Sequence, residues 1–224
     1  MSRYYSQKLS AERLKQVYDI ASPRVRQYLE AELQHTLEKI HPTDSVIDLG
    51  CGYGRILPRV AAKAKWVSGI DTSISSLMLA KKILNSISNC SLFQMDASHL
   101  GFPSGTYDIV LCIQNGISAF HLDRTALISE SIRVTKAGGL IMFSTYSDKF
   151  WENRIQWFQQ QAEAGLLGEI DYDKTTDGVI VCKDGLTSSA VRPSDFLESA
   201  AKLKVAVKVV EVDESSLFYE MTAP

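Results

Sequence analysis

Short apolar runs alternate with amphipathic stretches through the middle of the chain. A strand is predicted where four to seven residues are mostly apolar or β-branched, and a helix where apolar residues recur every three or four positions. The pattern predicts strands at 45–49, 66–70, 91–94, 107–112 and 139–145, and helices at 53–64, 73–85 and 123–134. Such alternation is typical of an α/β fold with a parallel sheet and helices on both faces.

Amphipathic segments flank this core on both sides. Helices are predicted at 9–20 and 23–40, the second with Ser22 as N-cap and Pro23 at its first position. A helix at 148–164 is followed by β-rich runs up to residue 191, interpreted as a hairpin or a small three-stranded sheet with a turn at Asp177-Gly178. The chain ends with a helix from Arg192 to about Leu203 and two β-rich runs, 205–212 and 217–222.

We therefore expect one domain over 1–224, with four segments. They are an N-terminal helical cap, a core, an inserted β-rich lid, and a C-terminal helix with a strand pair, at 1–42, 43–147, 148–191 and 192–224.

The most informative motif joins the first predicted strand of the core to the helix after it. It reads D-x-G-x-G-x-G, with Asp48 followed by Gly50, Gly52 and Gly54. Glycines let the backbone turn sharply and approach a ligand closely. Asp71 ends the next strand, where a carboxylate can accept both hydroxyls of a ribose. A dinucleotide-binding turn would need a third glycine at position 55, which is Arg55, so a nicotinamide dehydrogenase is disfavoured.

With this motif and matching stretches at 93–97, 107–113 and 134–143, the chain resembles the class I S-adenosylmethionine-dependent methyltransferases. The resemblance implies a Rossmann-like, seven-stranded, mostly parallel sheet closed by a C-terminal antiparallel strand pair. It also implies S-adenosyl-L-methionine as cofactor and in-line transfer of a methyl group to N, O or C of a small molecule. The alternative is a non-catalytic S-adenosylmethionine-binding protein or partner subunit with the same fold.

The resemblance assigns roles to individual residues. Asp48 would orient the turn and the methionine end, Asp71 would bind the ribose, and Asp96 and the Ala97 amide would bind adenine. The aromatic ring of Tyr18 would lie near the sulfonium, a cation–π contact. The full set expected at the cofactor is Tyr18, Asp48, Gly50, Cys51, Gly52, Gly54, Asp71, Thr72, Asp96, Ala97 and Ile113.

Each assignment has a structural alternative. Asp71 can cap the next helix, a task that Thr72 or Ser73 can share, and Ser98 competes with Asp96 in the same way. Tyr18 can be one apolar position of an amphipathic helix.

The loop at 113–121 follows the fourth strand and is where catalytic groups are expected. Asn115 could orient an acceptor, although Asn-Gly is also a common turn dipeptide. His121 could be a general base, or a solvated residue before a helix capped by Asp123. His99 and His35 are weaker candidates. The loop lacks the N-P-P-Y sequence of enzymes that methylate amide or base nitrogens, which favours a small-molecule acceptor.

Composition narrows the function further. The 224 residues carry a formal charge of −2, which disfavours a nucleic-acid partner. No signal peptide or membrane-spanning run is evident, and no metal-ligand spacing is present. The four cysteines are scattered and are expected to be reduced core residues of a cytoplasmic protein. We expect a monomer or a homodimer.

Overall fold

The computed structural model describes residues 4–176 and 178–224. Its elements are α1 (Tyr4–Gln7), α2 (Ala11–Asp19), α3 (Pro23–Leu37), β1 (Ser45–Leu49), α4 (Leu57–Ala61), β2 (Trp66–Asp71), α5 (Ile74–Ile83), β3 (Cys90–Gln94), β4 (Tyr107–Cys112), α6 (Gly116–Ala119), α7 (Arg124–Val134), β5 (Thr135–Tyr146), a 3-10 turn (Asp148–Phe150), α8 (Trp151–Glu163), β6 (Val179–Val181), β7 (Thr187–Ser189), α9 (Pro193–Lys202), β8 (Val207–Val212) and β9 (Ser216–Thr222).

The main sheet has seven strands in the order β3-β2-β1-β4-β5-β9-β8. Strands β1 to β5 are parallel to one another, and β9 is antiparallel to both β5 and β8. The predicted fold class, including the C-terminal antiparallel pair, is confirmed. Because β1 pairs with β2 on one side and β4 on the other, the strand order reverses at β1. In open α/β sheets, ligands bind in the crevice that such a reversal leaves at the carboxyl ends of the strands.

Residues of β1 explain why it lies in the middle of the sheet. Val46 packs into the hydrophobic cluster on one face, and Ile47 and Leu49 pack into the cluster on the other. All three are buried, as expected for a strand that is covered on both faces.

Several element boundaries differ from the prediction. The helix expected at 53–64 is only α4, because Gly52 and Gly54 have φ of +56° and +79°, outside helical backbone geometry. The helix expected at 23–40 ends at Leu37. The fifth strand begins four residues early, at Thr135.

The lid is less regular than a three-stranded sheet. β6 and β7 form an antiparallel pair, and the segment expected to add a third strand contributes one bridge, between Ile170 and Cys182. Asp177, half of the predicted turn, lies outside the described residues. The helix expected at 148–164 is a 3-10 turn followed by α8.

A third hydrophobic cluster joins the cap to the lid. It includes Leu9, Val17 and Tyr28 from the N-terminal segment and Trp157 and Ile180 from the lid. Polar contacts reinforce the junction, since Lys8 Nζ donates to the Asp184 carbonyl at 2.9 Å and an Arg13 Nη2 donates to the Leu166 carbonyl at 2.8 Å. The two segments therefore pack against each other as well as against the sheet. Within the described ranges, the structure contains no helix of the length and apolarity that a bilayer crossing requires.

Candidate functional site

The turn after β1 is held in a shape that only glycine fits. Gly50 has φ of +76°, and a Cβ there would lie 2.5 Å from Phe120 Cε1. Gly52 has φ of +56°, and its Cβ would lie 3.0 Å from Leu14 Cδ2. The amides of Gly50 and Cys51 donate to the Ile70 carbonyl at 2.9 and 2.8 Å, which ties the turn to β2. The turn thus packs closely against a loop residue and a cap residue at the carboxyl end of β1.

The Asp71 carboxylate connects this turn to the end of β2. Gly52 N donates to its Oδ2 at 2.9 Å, and Ser73 N donates to its Oδ1 at 2.7 Å. Burial raises the pKa of Asp71, while these backbone donors oppose the shift. Ser73, and not Asp71, caps α5 by accepting from Ser76 N. Asp71 also lines the cavity described below, and each carboxylate oxygen has more than one lone pair to offer.

Asp96 and Ala97 lie at the end of β3, on the same edge of the sheet. Ser98 donates to Asp96 Oδ1 through both its amide, at 2.9 Å, and its hydroxyl, at 2.7 Å. Since both bonds use Oδ1, Asp96 Oδ2 is left for a ligand. Asp96 can therefore bind Ser98 and a ligand at the same time, as Asp71 can bind its backbone donors and a ligand.

A cavity of about 550 Å³ runs along this edge of the sheet. Eight of the expected cofactor residues line it, and they are Tyr18, Gly50, Gly52, Asp71, Thr72, Asp96, Ala97 and Ile113. Its other end lies under the cap and the lid and is lined by residues that include Tyr5, Tyr146, Trp157, Phe158, Gln161 and Ser188. One cavity thus contains a nucleoside-sized end with carboxylates and an aromatic end.

A smaller cavity of about 50 Å³ adjoins the glycine turn and is lined by two of the three remaining expected residues. Asp48 and Cys51 line it together with Arg55 and Gln114. The Arg55 Nε and Nη2 atoms and Gln114 Nε2 are buried without hydrogen-bond partners. Unpaired buried donors are costly and rare in folded proteins. Three of them around one small cavity fit a carboxylate ligand.

Asp48 supplies the opposite charge in the smaller cavity. It is 3% exposed. Burial raises its pKa to about 7, the Asp71 carboxylate adds to the shift, and the Arg55 guanidinium opposes it. A carboxyl group therefore lies beside a guanidinium that has unused hydrogen-bond donors. This pair suits a ligand that carries both the ammonium and the carboxylate of an amino acid.

Replacement of Asp48 by asparagine should change how stability depends on pH. The raised pKa means that the folded protein keeps a proton that the unfolded chain releases near pH 4, so Asp48 lowers stability as pH rises from about 4 to about 7. Urea unfolding near pH 4.5 and pH 7.5 should show wild-type stability falling relative to Asp48→Asn, by up to about 4 kcal/mol. An identical pH dependence in the two proteins would contradict this ionisation.

Tyr18 lies between the two cavities and lines both. The Arg55 guanidinium is 4.7 Å from its ring centroid, and the rings of Tyr53 and Trp157 are 6.0 and 6.1 Å away. The ring is therefore both a helix position packed against neighbours and a wall of the cavity, so the two readings of Tyr18 are compatible.

Two expected residues are not at either cavity. Gly54 packs the turn onto α5, where a Cβ would lie 3.0 Å from Ala80 Cβ, and it does not line the site. The exposed side chain of His121 also lies outside the lining, because the chain leaves α6 with a His121 φ of +50° while Phe120 and Leu122 face the cavity. This placement does not support a role of His121 as a base, which stays an untested prediction.

Asn115 lines the cavity but is already bonded. Its side chain is 4% exposed, with Nδ2 donating to the Ser189 carbonyl at 3.0 Å and Oδ1 accepting from Thr145 Oγ1 at 2.8 Å. Asn115 also adopts left-handed backbone at the start of α6, a helix that the Asn-Gly pattern did not predict. These bonds join the loop to β7 and to the end of β5, and a role in orienting an acceptor stays a prediction.

The two weaker histidine candidates are remote or bonded elsewhere. His35 Nε2 lies 2.7 Å from Glu220 Oε1, and His99 Nδ1 lies 2.9 Å from Ser98 Oγ. In the part of the chain that the structure describes, no group of three or more His, Cys, Asp or Glu side chains could hold a metal ion.

Comparison with known proteins gives the class of this domain. Residues 46–139 match the family model described as a methyltransferase domain. The 2-methyl-6-phytyl-1,4-hydroquinone methyltransferase of Synechocystis is 28% identical, with 72% of this chain and 59% of that protein covered. The malonyl-[acyl-carrier protein] O-methyltransferase of Yersinia pestis is 30% identical, with 59% of this chain and 49% of that protein covered. The chain thus spans half to three fifths of these relatives.

Solved structures confirm the fold. The N-methyltransferase NodS of Bradyrhizobium japonicum, in complex with S-adenosyl-L-homocysteine, superposes with a TM-score of 0.64 at 14% identity over 97% of this chain and 95% of that one. The match over residues 46–139 and the similar proteins confirm the predicted resemblance to the class I S-adenosylmethionine-dependent methyltransferases. The cofactor of this class is S-adenosylmethionine, as predicted.

Proposed function

We propose that this protein transfers a methyl group from S-adenosylmethionine to a small-molecule acceptor. The observation that supports the proposal most strongly is the continuity of the 550 Å³ cavity, from Asp71 and Asp96 at one end to the aromatic residues under the lid at the other. A cofactor and an acceptor can therefore meet inside one cavity. The name of one similar protein, a 2-methyl-6-phytyl-1,4-hydroquinone methyltransferase, supports a small-molecule acceptor.

We assign the cofactor residues from the contacts that remain free. Asp71 would accept the ribose hydroxyls, and Asp96 Oδ2 with the Ala97 amide would bind adenine. Asp48 would bind the ammonium of the methionine end, and the unpaired donors of Arg55 and Gln114 its carboxylate. When bound, S-adenosylmethionine supplies an electrophilic methyl group on a sulfonium.

The protein contributes alignment and exclusion of water more than acid–base chemistry. Displacement at a methyl carbon requires the nucleophile in line with the breaking bond, which an enclosed and rigid cavity favours. Cap and lid cover the acceptor end, and Trp157 Nε1 donates to the Val17 carbonyl at 3.1 Å, which fixes one wall against the other.

Two measurements separate this function from its alternatives. Calorimetry should detect binding of both S-adenosylmethionine and S-adenosylhomocysteine, and NAD should not bind. Incubation with methyl-labelled cofactor and metabolite extracts should then yield labelled product. Absence of binding at millimolar ligand would exclude both the enzyme and the non-catalytic binding protein, whereas binding without transfer to any acceptor would favour the non-catalytic one.

Cofactor binding should protect the cap and the lid from proteases. Both segments pack over the cavity through one hydrophobic cluster, so a ligand beneath them adds contacts that opening must break. Cleavage within 1–20 and 165–190 should slow when S-adenosylhomocysteine is added, as read by mass spectrometry of the fragments. Equal rates with and without ligand would mean that these segments do not respond to the cofactor.

We further propose a cytoplasmic protein that acts as a monomer or homodimer and does not bind nucleic acid. All four cysteines are free thiols, three of them buried, which suits a reducing compartment. Cell fractionation and light scattering would test location and oligomeric state. Retention on a DNA or RNA column at physiological salt would contradict the exclusion of nucleic acid.

A further inference from the structure

The acceptor end of the main cavity, here called the acceptor chamber, has an aromatic wall. Tyr5 comes from the cap, Tyr146 from the end of β5, and Trp157 and Phe158 from α8. Such walls suit a flat, largely apolar ligand body, because rings supply large contact area with little loss of side-chain entropy.

The acceptor chamber offers no general base. Among the described residues that line the main cavity, the only ionisable groups besides tyrosines are Asp71 and Asp96, and both lie at the cofactor end. Burial raises the pKa of Tyr5 to about 12 and raises that of Tyr146 as well, so both hydroxyls stay protonated near neutral pH. They can donate hydrogen bonds but cannot remove a proton from an acceptor. An acceptor must therefore enter the chamber already deprotonated.

A buried positive charge lies directly behind this wall. Arg154 is 1% exposed, and its guanidinium is 4.3 Å from the ring centroid of Tyr146 and 5.8 Å from that of Phe158, two rings that line the chamber. Its Nη1 donates to the Gly178 carbonyl at 2.7 Å, and its Nη2 donates to the Ser188 carbonyl at 2.7 Å and to Ser188 Oγ at 3.0 Å. These partners fix the guanidinium in place.

The charge of Arg154 is not neutralised by the protein. None of the ion pairs among the described residues includes it, and its buried Nε has no hydrogen-bond partner. A buried charge without a counter-charge is unfavourable, so a ligand that brings a negative charge near it gains affinity, whereas a cationic ligand loses affinity.

Resting on the methyltransferase function proposed above, we propose that the acceptor chamber takes an acceptor that is an oxyanion at neutral pH, a carboxylate or an acidic phenol on a flat apolar body. Arg154 is the positioning residue for that charge, and the hydroxyls of Tyr5 and Tyr146 are the donors available to it. An amine would have to bind as its minor neutral form, because its cationic form is disfavoured beside a guanidinium.

The transfer step is balanced without a base. The acceptor oxyanion supplies the electron pair of the new O–C bond, and the C–S bond breaks with its pair passing to sulfur. A negative acceptor and a positive sulfonium become a neutral ester or ether and a neutral thioether, with no proton released. Charge is neutralised in this step, which a low-polarity chamber favours over water.

The test uses three probes of one skeleton, with S-adenosylhomocysteine saturating. They are 3-phenylpropionate, 3-phenylpropionamide and 3-phenylpropylamine, and binding is measured by calorimetry. The carboxylate should bind at least about tenfold more tightly than the amide or the amine. Arg154→Met should bring carboxylate and amide affinities within about threefold of each other. Arg154→Lys should keep part of the preference, because it keeps the charge and loses the planar fork.

Matched controls keep a folding defect from imitating this result. Arg124 is an arginine outside both cavities, bonded to the Asp195 carbonyl, and Arg124→Met should leave all three affinities unchanged. S-adenosylhomocysteine affinity and near-ultraviolet circular dichroism should be unchanged in every variant. If Arg154→Met changes the cofactor affinity or the circular dichroism, Arg154→Lys and Tyr146→Phe replace it in the test. Each of these two variants should lower the preference for the carboxylate.

A second readout comes from the product of the labelled-cofactor assay. The label should be in an O-methyl ester or aryl ether, which mild alkali distinguishes by releasing methanol from the ester alone. The inference is overturned by label in an N-methyl amine, by an amine or amide that binds as well as the carboxylate, by a preference unchanged in all three variants, or by no carboxylate binding at about 10 mM. Failure of S-adenosylhomocysteine to bind would instead overturn the proposed function itself.

Discussion

Replacement of Asp71 by alanine should weaken S-adenosylhomocysteine binding by about 30- to 150-fold. A carboxylate that accepts two ribose hydroxyls contributes roughly 2 to 3 kcal/mol through charge-assisted hydrogen bonds. The structure adds a second reason, because the same side chain holds Gly52 N at 2.9 Å and so fixes the turn against β2. Calorimetric titration of the folded variant measures the loss.

Two further variants separate the ribose contact from the support of the turn. Asp71→Asn keeps an acceptor for one backbone amide, and it should retain the fold while losing most of the affinity. Asp173→Ala removes an exposed carboxylate on the lid and should change nothing. If Asp71→Ala is folded and binds S-adenosylhomocysteine as well as wild type does, the ribose lies elsewhere.

Replacement of Arg55 by methionine should weaken S-adenosylhomocysteine binding by about 10- to 100-fold. The Nε and Nη2 atoms of Arg55 are buried and unpaired, and a carboxylate placed against them would gain charge-assisted hydrogen bonds of about 1.5 to 3 kcal/mol. The ring of Tyr18, 4.7 Å from the guanidinium, holds it in place. The loss should therefore come from the contact itself and not from a misplaced side chain.

A ligand without the amino-acid head gives the sharpest control. 5′-Methylthioadenosine keeps the ribose and adenine but lacks the carboxylate, so its affinity should stay within about twofold in Arg55→Met. Arg59 lies four residues further, exposed and paired with Glu30 at 2.6 Å, and Arg59→Met should bind both ligands normally. Equal losses for the two ligands would show that Arg55 shapes the turn and does not bind the carboxylate.

The features predicted correctly are those that depend on neighbours in the sequence. Alternating apolar and amphipathic stretches give the order of strands and helices, and the resemblance supplies the antiparallel end of the sheet. The glycine turn is recognisable because its backbone conformation demands particular residues at fixed spacing. Asp71 and Asp96 follow from their positions at strand ends, which the topology brings to one edge.

The features that were missed depend on contacts between distant segments. The sequence identifies Arg55 only as the residue that replaces the third glycine of a dinucleotide-binding motif. Nothing near it in the sequence shows that its guanidinium lies beside Asp48 and Gln114. Phe120 reaches Gly50 because α6 forms within a loop that looked irregular. His121 was a reasonable candidate by residue type, yet one left-handed backbone residue turns it to solvent.

The third hydrophobic cluster is distinct from the clusters that support the parallel sheet. The side chains that shape the acceptor chamber pack largely with one another, in a cluster distinct from the two that cover the faces of the sheet. Leu14 and Tyr18, which pack against this cluster, also approach the glycine turn and Arg55, so substitutions at these two positions should change cofactor affinity as well. If the proposed function holds, acceptor preference should therefore change through substitutions elsewhere in the cap and the lid, with the glycine turn and Asp71 left unaltered.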